Sequence, residues 1–291
     1  MSDQVCMTGA ECCDGAAGVD ANGYPVETTG NAVLDILEHR SSTRAFARDD
    51  DDRPVAVTDE QRAAILHAAS RAPSAGAMMM YSIVSIREQA TLDRLADLCD
   101  HQPMIAKAPW ALIFVVDYAK WIDLFEHVGC FESEFVERTG KSPRRAPGLG
   151  DFAIAAQDAV IAAQNAVVAA EALGLGSCYI GDVVENAEEV AALLGLPPYT
   201  MPLSMLIIGA PRKERPAIAH PVVNLVHEER YRRADAATMD AQVAEMDTMF
   251  RPHAREVGER VVDIYTRKHT SPFMAEMSRS MEWWFKNWLG K

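Results

Sequence analysis

One stretch of the sequence, from Asp151 to Val183, limits most strongly what this chain can fold into. Its first two-thirds places alanine, valine and isoleucine on every face of a predicted helix, with few polar interruptions. A helix that is apolar all round lies in a large core or in a subunit interface. We expect it to end at Gly174 and Gly176, since glycine readily adopts a left-handed cap. The stretch therefore predicts a central buried helix.

The residues after this helix are typical of a ligand platform. The sequence SCYIGD is predicted to form a short strand that ends in a turn at Gly181. Because glycine has no side chain, a flat ligand could lie against the backbone there. The pattern predicts a cofactor site at the end of the central helix.

Length and charge exclude several classes of function. A chain of 291 residues can bury one large core or two modest ones. Its net charge of −14 argues against nucleic acid or an anionic membrane as the main partner. Asp158 and Glu171 interrupt the longest apolar run, so no membrane span is expected. The polar, acidic first residues are unlike a secretory signal, and we expect a cytoplasmic protein.

The cysteines do not predict a metal site. Three of the six lie within the first 13 residues, without a C-x-x-C pair or a nearby histidine. That spacing suits neither zinc nor an iron–sulfur cluster. We expect reduced thiols, no metal and no nucleophilic triad.

Two basic segments are candidates for binding an anion. If RSSTRAF is extended, Arg40, Ser42 and Arg44 point to one side, because strand side chains alternate. Two guanidinium groups flanking a hydroxyl suit a phosphate, which arginine binds through paired hydrogen bonds. A solvated basic turn is the alternative interpretation. The second segment follows a predicted strand and carries Lys213 and Arg215.

The rest of the chain predicts a mixture of helices and strands. Helices are predicted at 31–40, 59–71, 88–100 and 185–194, and strands at 78–86, 110–116 and 203–208, with a short edge strand within 220–231. Residues 119–150 are predicted to be an irregular surface excursion or lid. From residue 235 the chain is predicted to be helical, and its aromatic end is expected to dock, with the partner subunit as one candidate.

The order of these motifs resembles the FMN-dependent nitroreductase family. The resemblance rests on RSSTRAF, APSAG before a strand, the long helix running into GLGSCYIGD, and GAP followed by K-x-R, and covers about residues 31–231. It implies an α+β fold, with a largely antiparallel sheet wrapped by helices and the long central helix at a homodimer interface. Residues 1–30 would be an arm outside the resemblance, 31–234 the FMN-binding domain and 235–291 a helical extension.

The resemblance also assigns cofactor contacts. The matching positions are Arg40, Ser42, Arg44, Pro73, Ser74, Gln102, Tyr179, Ile180, Gly181, Lys213 and Arg215. It implies that the arginines and lysine hold the FMN phosphate, while Pro73 and Ser74 reach the flavin from the other subunit. Backbone N–H groups of Gly181 and Asp182 would lie near flavin N5, with no catalytic side chain.

The implied activity is transfer of two electrons from NADH or NADPH through FMN to a nitroaromatic, quinone or similar flat acceptor, with ping-pong kinetics. A flavin-fragmenting or dehalogenating relative and a non-catalytic flavin-binding protein are the alternatives. One departure affects the ring contacts. Many family members have Asn and Gln where this chain has Ala77 and Met79.

Overall fold

The computed structural model describes residues 18–19, 25–26, 30–141, 144–213, 223–250 and 256–290. The strands are β1 (Gly18–Val19), β2 (Pro25–Val26), β3 (Tyr81–Ile86), β4 (Trp110–Asp117), β5 (Gly176–Ile180) and β6 (Thr200–Gly209). The helices are α1 (Ala32–His39), α2 (Asp59–Ser70), α3 (Gln89–Leu98), α4 (Pro103–Ala106), α5 (Ala119–His127), α6 (Ser133–Thr139), α7 (Leu149–Ala172), α8 (Ala187–Leu194), α9 (Ala236–Phe250), α10 (Glu259–Ile264) and α11 (Phe273–Trp288). The predicted arm, 1–30, lies almost wholly outside the described residues, apart from the short pair β1 and β2.

The main sheet has four strands in the order β3-β4-β6-β5, and each neighbouring pair is antiparallel. This confirms the predicted α+β fold with a largely antiparallel sheet. Strand β4 is buried on both faces because its side chains alternate between two layers of helix. Its residues Trp110, Leu112 and Phe114 share a core with α2 and α7. The residues between them, such as Ile113, share a core with α3, α8 and α11.

Helix α7 is the long helix predicted from the sequence. Its buried positions are almost all alanine, which lets α2 and the sheet approach closely. Gly174 has φ +72° and ends the helix as expected, whereas Gly176 is the first residue of β5. A Cβ on Gly176 would lie 2.1 Å from Thr43 Oγ1, so this glycine permits close packing instead. By length and composition α7 could also cross a membrane, a test that the core helix of a globular protein passes equally.

Two predictions about surface segments are wrong. The region expected to be irregular contains α5 and α6, because α5 buries Ile122 and packs Trp121 against the core. The short edge strand is absent from 223–231, where Asn224 and Glu229 have positive φ and break an extended path. Residues 220–222 lie outside the described part of the chain.

The aromatic end of the chain docks on its own subunit. Trp284 and Trp288 are fully buried, and their indole nitrogens donate to the carbonyl oxygens of Val184 (2.8 Å) and Gly148 (3.0 Å). The sequence correctly predicted docking, but the partner subunit is not needed to bury these rings. Helix α11 is therefore part of the core around β5 and α8.

Candidate functional site

The RSSTRAF segment lies along the free edge of β5. Ser42 forms a parallel bridge with Ser177, and the Thr43 N–H donates to the Ser177 carbonyl oxygen at 2.8 Å. The segment leaves α1 at Arg40, where the helix ends. Its backbone then passes the start of β5, where Thr43 lies beside Gly176 and Phe46 beside Gly209, and Arg44 lines a common cleft with Gly181.

The same segment joins the second basic segment. The Ala47 N–H donates to the Ala210 carbonyl oxygen at 2.8 Å, and the Arg212 N–H donates to the Ala45 carbonyl oxygen at 3.0 Å. These bonds bring together two arginine-bearing segments that are separated by about 165 residues in sequence. Each therefore lies where it can contact the same anion.

A basic cavity of about 660 Å³ opens between these segments. Arg44, Arg48, Lys107 and Arg212 line it, together with one acid, Asp52. In a chain of net charge −14 this is a local excess of positive charge. The cavity is suited to an anion such as a phosphate.

The predicted cations are not all placed together. Lys213 is exposed and lines neither this cavity nor the cleft described below, and Arg215 lies outside the described residues. Arg40 lies beside Glu171 and Tyr179, away from the cavity wall. Its Nε is buried and has no hydrogen-bond partner among the described residues.

A second cleft, of about 420 Å³, shares the lining residue Arg44 with the basic cavity. Its wall contains four of the predicted site residues and two acids that the prediction did not treat as side-chain contacts. These are Arg44, Gln102, Tyr179 and Gly181, with Asp100 and Asp182. Ile180 points the other way, into the core, because side chains alternate along β5.

Gly181 leaves bare backbone at the floor of this cleft. A Cβ built on this residue would meet no atom within 4 Å. Its φ of −81° is open to any residue, so conformation alone does not require glycine here. The missing side chain instead leaves room for a flat group to lie on the peptide plane.

Gln102 reaches the cleft from the start of α4. Its side-chain amide donates to the Asp182 carboxylate, and its backbone N–H donates to the Ala96 carbonyl oxygen at 2.9 Å. Asp100 and His101, just before it, both have φ near +50° (54° and 51°). Two consecutive non-glycine residues in the left-handed backbone conformation cost free energy of folding, and backbone strain of this kind is frequent at functional sites.

A buried acid behind the cleft was not predicted. Glu185 is only 3% exposed, and its Oε1 has no hydrogen-bond partner among the described residues. Its pKa is raised to about 7, mainly by burial and then by the negative charges of Asp182, Asp100 and Glu276. The sequence near residue 185 gives no sign of this burial, because part of it comes from α11, about 90 residues away.

The Pro73–Ser74 loop does not line either cavity. It is tied to α7 instead, because the buried carboxylate of Asp158 accepts from Ala75 N at 2.9 Å and from Met80 N at 3.3 Å. Gly76, Ala77 and Met79 in this loop all have positive φ. Alanine and methionine adopt this conformation at a cost, so the backbone of this loop is strained at these two positions.

The C-terminal extension supplies part of the cleft wall. Lys268 and Phe273 line it, opposite the residues contributed by β5 and α4. Lys268 Nζ lies 4.9 Å from the centroid of the Phe273 ring. Sequence analysis missed both residues, because neither belongs to a motif.

Comparison with known proteins gives a consistent result. The family model described as "Nitroreductase family" matches residues 37–210. The chain is 32% identical over 215 residues to an FMN reductase [NAD(P)H] from Bacillus subtilis, covering 73% of this chain and 79% of that protein. It is 32% identical over 219 residues to an oxygen-insensitive NADPH nitroreductase from Salmonella typhimurium, covering 73% and 81%. A solved structure of the Vibrio harveyi NADPH:FMN oxidoreductase complexed with NAD+ superposes with TM-score 0.66 at 25% identity, covering 86% and 97%.

Proposed function

The chain belongs to the nitroreductase family, and from this we propose that it is an FMN-dependent oxidoreductase that takes electrons from NADH or NADPH. The relatives named above are an FMN reductase [NAD(P)H] and an oxygen-insensitive NADPH nitroreductase. The electron acceptor would be a nitroaromatic, a quinone or a similar flat molecule.

The single observation that carries the proposal is that Arg44 lines both a basic cavity and a cleft whose wall contains Gly181. FMN has a phosphate at one end and a flat ring at the other, so it needs this pair of environments in this order. The open space at Gly181, where an added Cβ would meet no atom within 4 Å, also fits such a molecule. The described residues are therefore suited to FMN.

We assign the phosphate to Arg44, with Arg40, Ser42, Lys213 and Arg215 as the further contacts that the family pattern suggests. The side chain of Gln102 and the backbone of Gly181 and Asp182 would face the ring, where a backbone N–H stabilises negative charge on a bound group. Tyr179, whose pKa burial raises to about 12, stays a neutral hydrogen-bonding group at neutral pH.

Bound FMN would supply the two-electron chemistry, and the protein would position it and its reaction partners. The proposed order is ping-pong, in which the oxidised nicotinamide leaves before the acceptor enters. The thiol of Cys99 plays no part in the chemistry, since burial raises its pKa and keeps it protonated.

We also propose that the protein is a homodimer. Leu34 on α1 and Ile154, Val160 and Ile161 on α7 are between 40% and 51% exposed, and α1 and α7 are neighbours. Large apolar side chains clustered at this exposure favour a protein interface. A second copy of the chain would cover them and would bring its Pro73–Ser74 loop to the site. Sedimentation equilibrium should give twice the mass of 31.9 kDa, and a monomer that retains FMN would contradict the shared site.

The proposed function is tested by FMN titration of Arg44→Ala. Losing a charge-assisted contact should weaken FMN binding by about 2 kcal/mol, roughly thirtyfold in dissociation constant. Arg53→Ala is the matched control, because Arg53 pairs with Asp49 and Asp51 on an exposed loop and lines neither cavity. Wild-type protein that takes up no FMN contradicts the function, and equal affinity of the two variants contradicts the phosphate assignment.

A further inference from the structure

One wall of the cleft comes from outside the part of the chain that matches the family model. That match ends at residue 210, whereas Lys268 and Phe273 belong to the C-terminal extension. These two residues can therefore distinguish this chain from relatives that share only its floor.

This wall is held rigidly against the floor of the cleft. The Asn186 N–H donates to Glu276 Oε1 at 3.1 Å, and the Ala187 N–H donates to Ser280 Oγ at 3.2 Å. With the Trp284 bond to Val184, these contacts attach α11 to the residues that directly follow Gly181. Phe273, the first residue of α11, therefore has a defined position relative to the glycine floor.

Lys268 is the positive charge that the extension leaves available to the cleft. It lies in a single π-helical turn, Tyr265–His269, a local form that is common at functional sites. Its neighbour Arg267 is neutralised by Asp263 through two bonds of 2.5 Å. Lys268 forms no ion pair within the described part of the chain, and contacts the face of Phe273 instead.

The surroundings of Lys268 favour a ligand that carries its own negative charge. A lysine with no carboxylate partner gains a charge-assisted bond only when an anion enters. The two acids in the same cleft, Asp100 and Asp182, form no ion pair with Lys268 among the described residues. The ring of Phe273 beside it is suited to an aromatic ligand.

We propose that Lys268 binds an anionic substituent of the electron acceptor, so that the cleft prefers planar aromatic acids to neutral aromatic molecules. This rests on the proposed function, because it concerns the acceptor of that same site. Phe273 is a positioning residue that orients the ammonium group over the cleft. The class of acceptor is a nitroaryl or quinone bearing a carboxylate or sulfonate.

The test compares 4-nitrobenzoate with 4-nitrobenzamide, which share the ring and the nitro group and differ in charge. The ratio of their kcat/KM values would be measured in wild type, Lys268→Gln and Lys268→Arg, with NADPH as donor. We expect Lys268→Gln to lower the ratio about tenfold, and Lys268→Arg to retain it, because the substitution keeps the charge. Lys286→Gln, an exposed lysine on α11 that does not line the cleft, is the matched control and should leave the ratio unchanged.

A binding measurement accompanies the kinetics. The dissociation constant of unreactive benzoate, read from the absorption of FMN-loaded protein without donor, should rise about tenfold in Lys268→Gln. An unchanged kcat/KM ratio or an unchanged benzoate affinity in Lys268→Gln overturns the proposal. A loss confined to kcat/KM for NADPH also overturns it, because that result would assign Lys268 to the phosphate of the donor. If wild type binds FMN and reduces 4-nitrobenzamide, the proposed function holds and these outcomes concern Lys268 alone. If wild type does neither, the proposed function fails and the proposal for Lys268 fails with it.

Discussion

Helices α7 and α11 both pack on the central sheet, but they do so with side chains of opposite size. The buried face of α7 is built almost entirely from alanine, and its stability is spread over many close contacts along 24 residues. Helix α11 depends on two fully buried tryptophans and a few hydrogen bonds. The comparison teaches that α7 should suffer most when its small side chains are enlarged, and α11 when its large side chains are truncated.

The largest expected effect tests the α11 side of this comparison. Trp284→Ala removes a buried indole and its hydrogen bond to Val184, and should lower the free energy of unfolding by roughly 3–5 kcal/mol. Urea unfolding followed by circular dichroism measures it. Lys286→Ala, on the exposed side of the same helix, should change stability by less than about 0.5 kcal/mol. A loss below about 1 kcal/mol for Trp284→Ala would mean that α11 is not held by this ring.

The next effect concerns the joint between α11 and the rest of the chain, where Glu185 lies near Glu276. The folded state raises the pKa of Glu185 from 4.5 to about 7, so folding favours its protonated form. Stability from this group is therefore greatest below pH 4.5, falls as pH rises to about 7 and is constant above it. Glu185→Gln removes the titrating group, so its free energy of unfolding should not show this fall. Relative to wild type, the variant's free energy of unfolding should therefore increase by roughly 3 kcal/mol between pH 4.5 and pH 8.

The measurement is the difference in free energy of unfolding between Glu185→Gln and wild type across that pH range. Other titrating groups largely cancel in the difference. Glu189→Gln is the control, because Glu189 is exposed and forms a surface ion pair with Arg94 worth at most about 1 kcal/mol. A difference that does not grow with pH would contradict the buried, unpartnered state of Glu185.

The smallest effect tests the α7 side. Ala163→Leu adds volume where α7 meets α2 and the sheet, and should cost roughly 1–3 kcal/mol through forced repacking. Ala172→Leu, at an exposed position near the end of the same helix, should be nearly neutral. The two are compared by urea unfolding, and equal stability would show that the alanines are not a close-packed face.

Local patterns in the sequence predicted the parts of the site that depend on local chemistry. Arg44 and Gly181 stand in short motifs whose residue types indicate an anion contact and a bare backbone, whereas Gln102 was predicted only through the family resemblance. The structure brings these three residues to one cleft. Buried strands between helices predicted a mixture of α and β structure, and the family resemblance supplied the antiparallel sheet. The comparisons confirm the family that these motifs resembled.

The features that sequence missed depend on contacts between distant segments. Lys268 looks like one cation in a basic run until α11 is docked, and Glu185 looks like a surface acid until the same helix covers it. The prediction of an irregular lid at 119–150 was wrong for a different reason. The charged residues of this segment obscured the helical spacing of the apolar residues Trp121, Ile122 and Phe125 in α5. Tertiary packing decides such cases, and single-sequence patterns do not contain it.

The bridge between Ser42 and Ser177 has a consequence for solubility. Strand β5 is the last strand of the sheet, and an uncovered last strand invites pairing with another molecule. The RSSTRAF segment covers part of that border with its own backbone, so a segment suited to phosphate also guards against fibre-like self-association. Proteolytic removal of the chain before residue 48 would thus be expected to promote aggregation as well as to abolish anion binding.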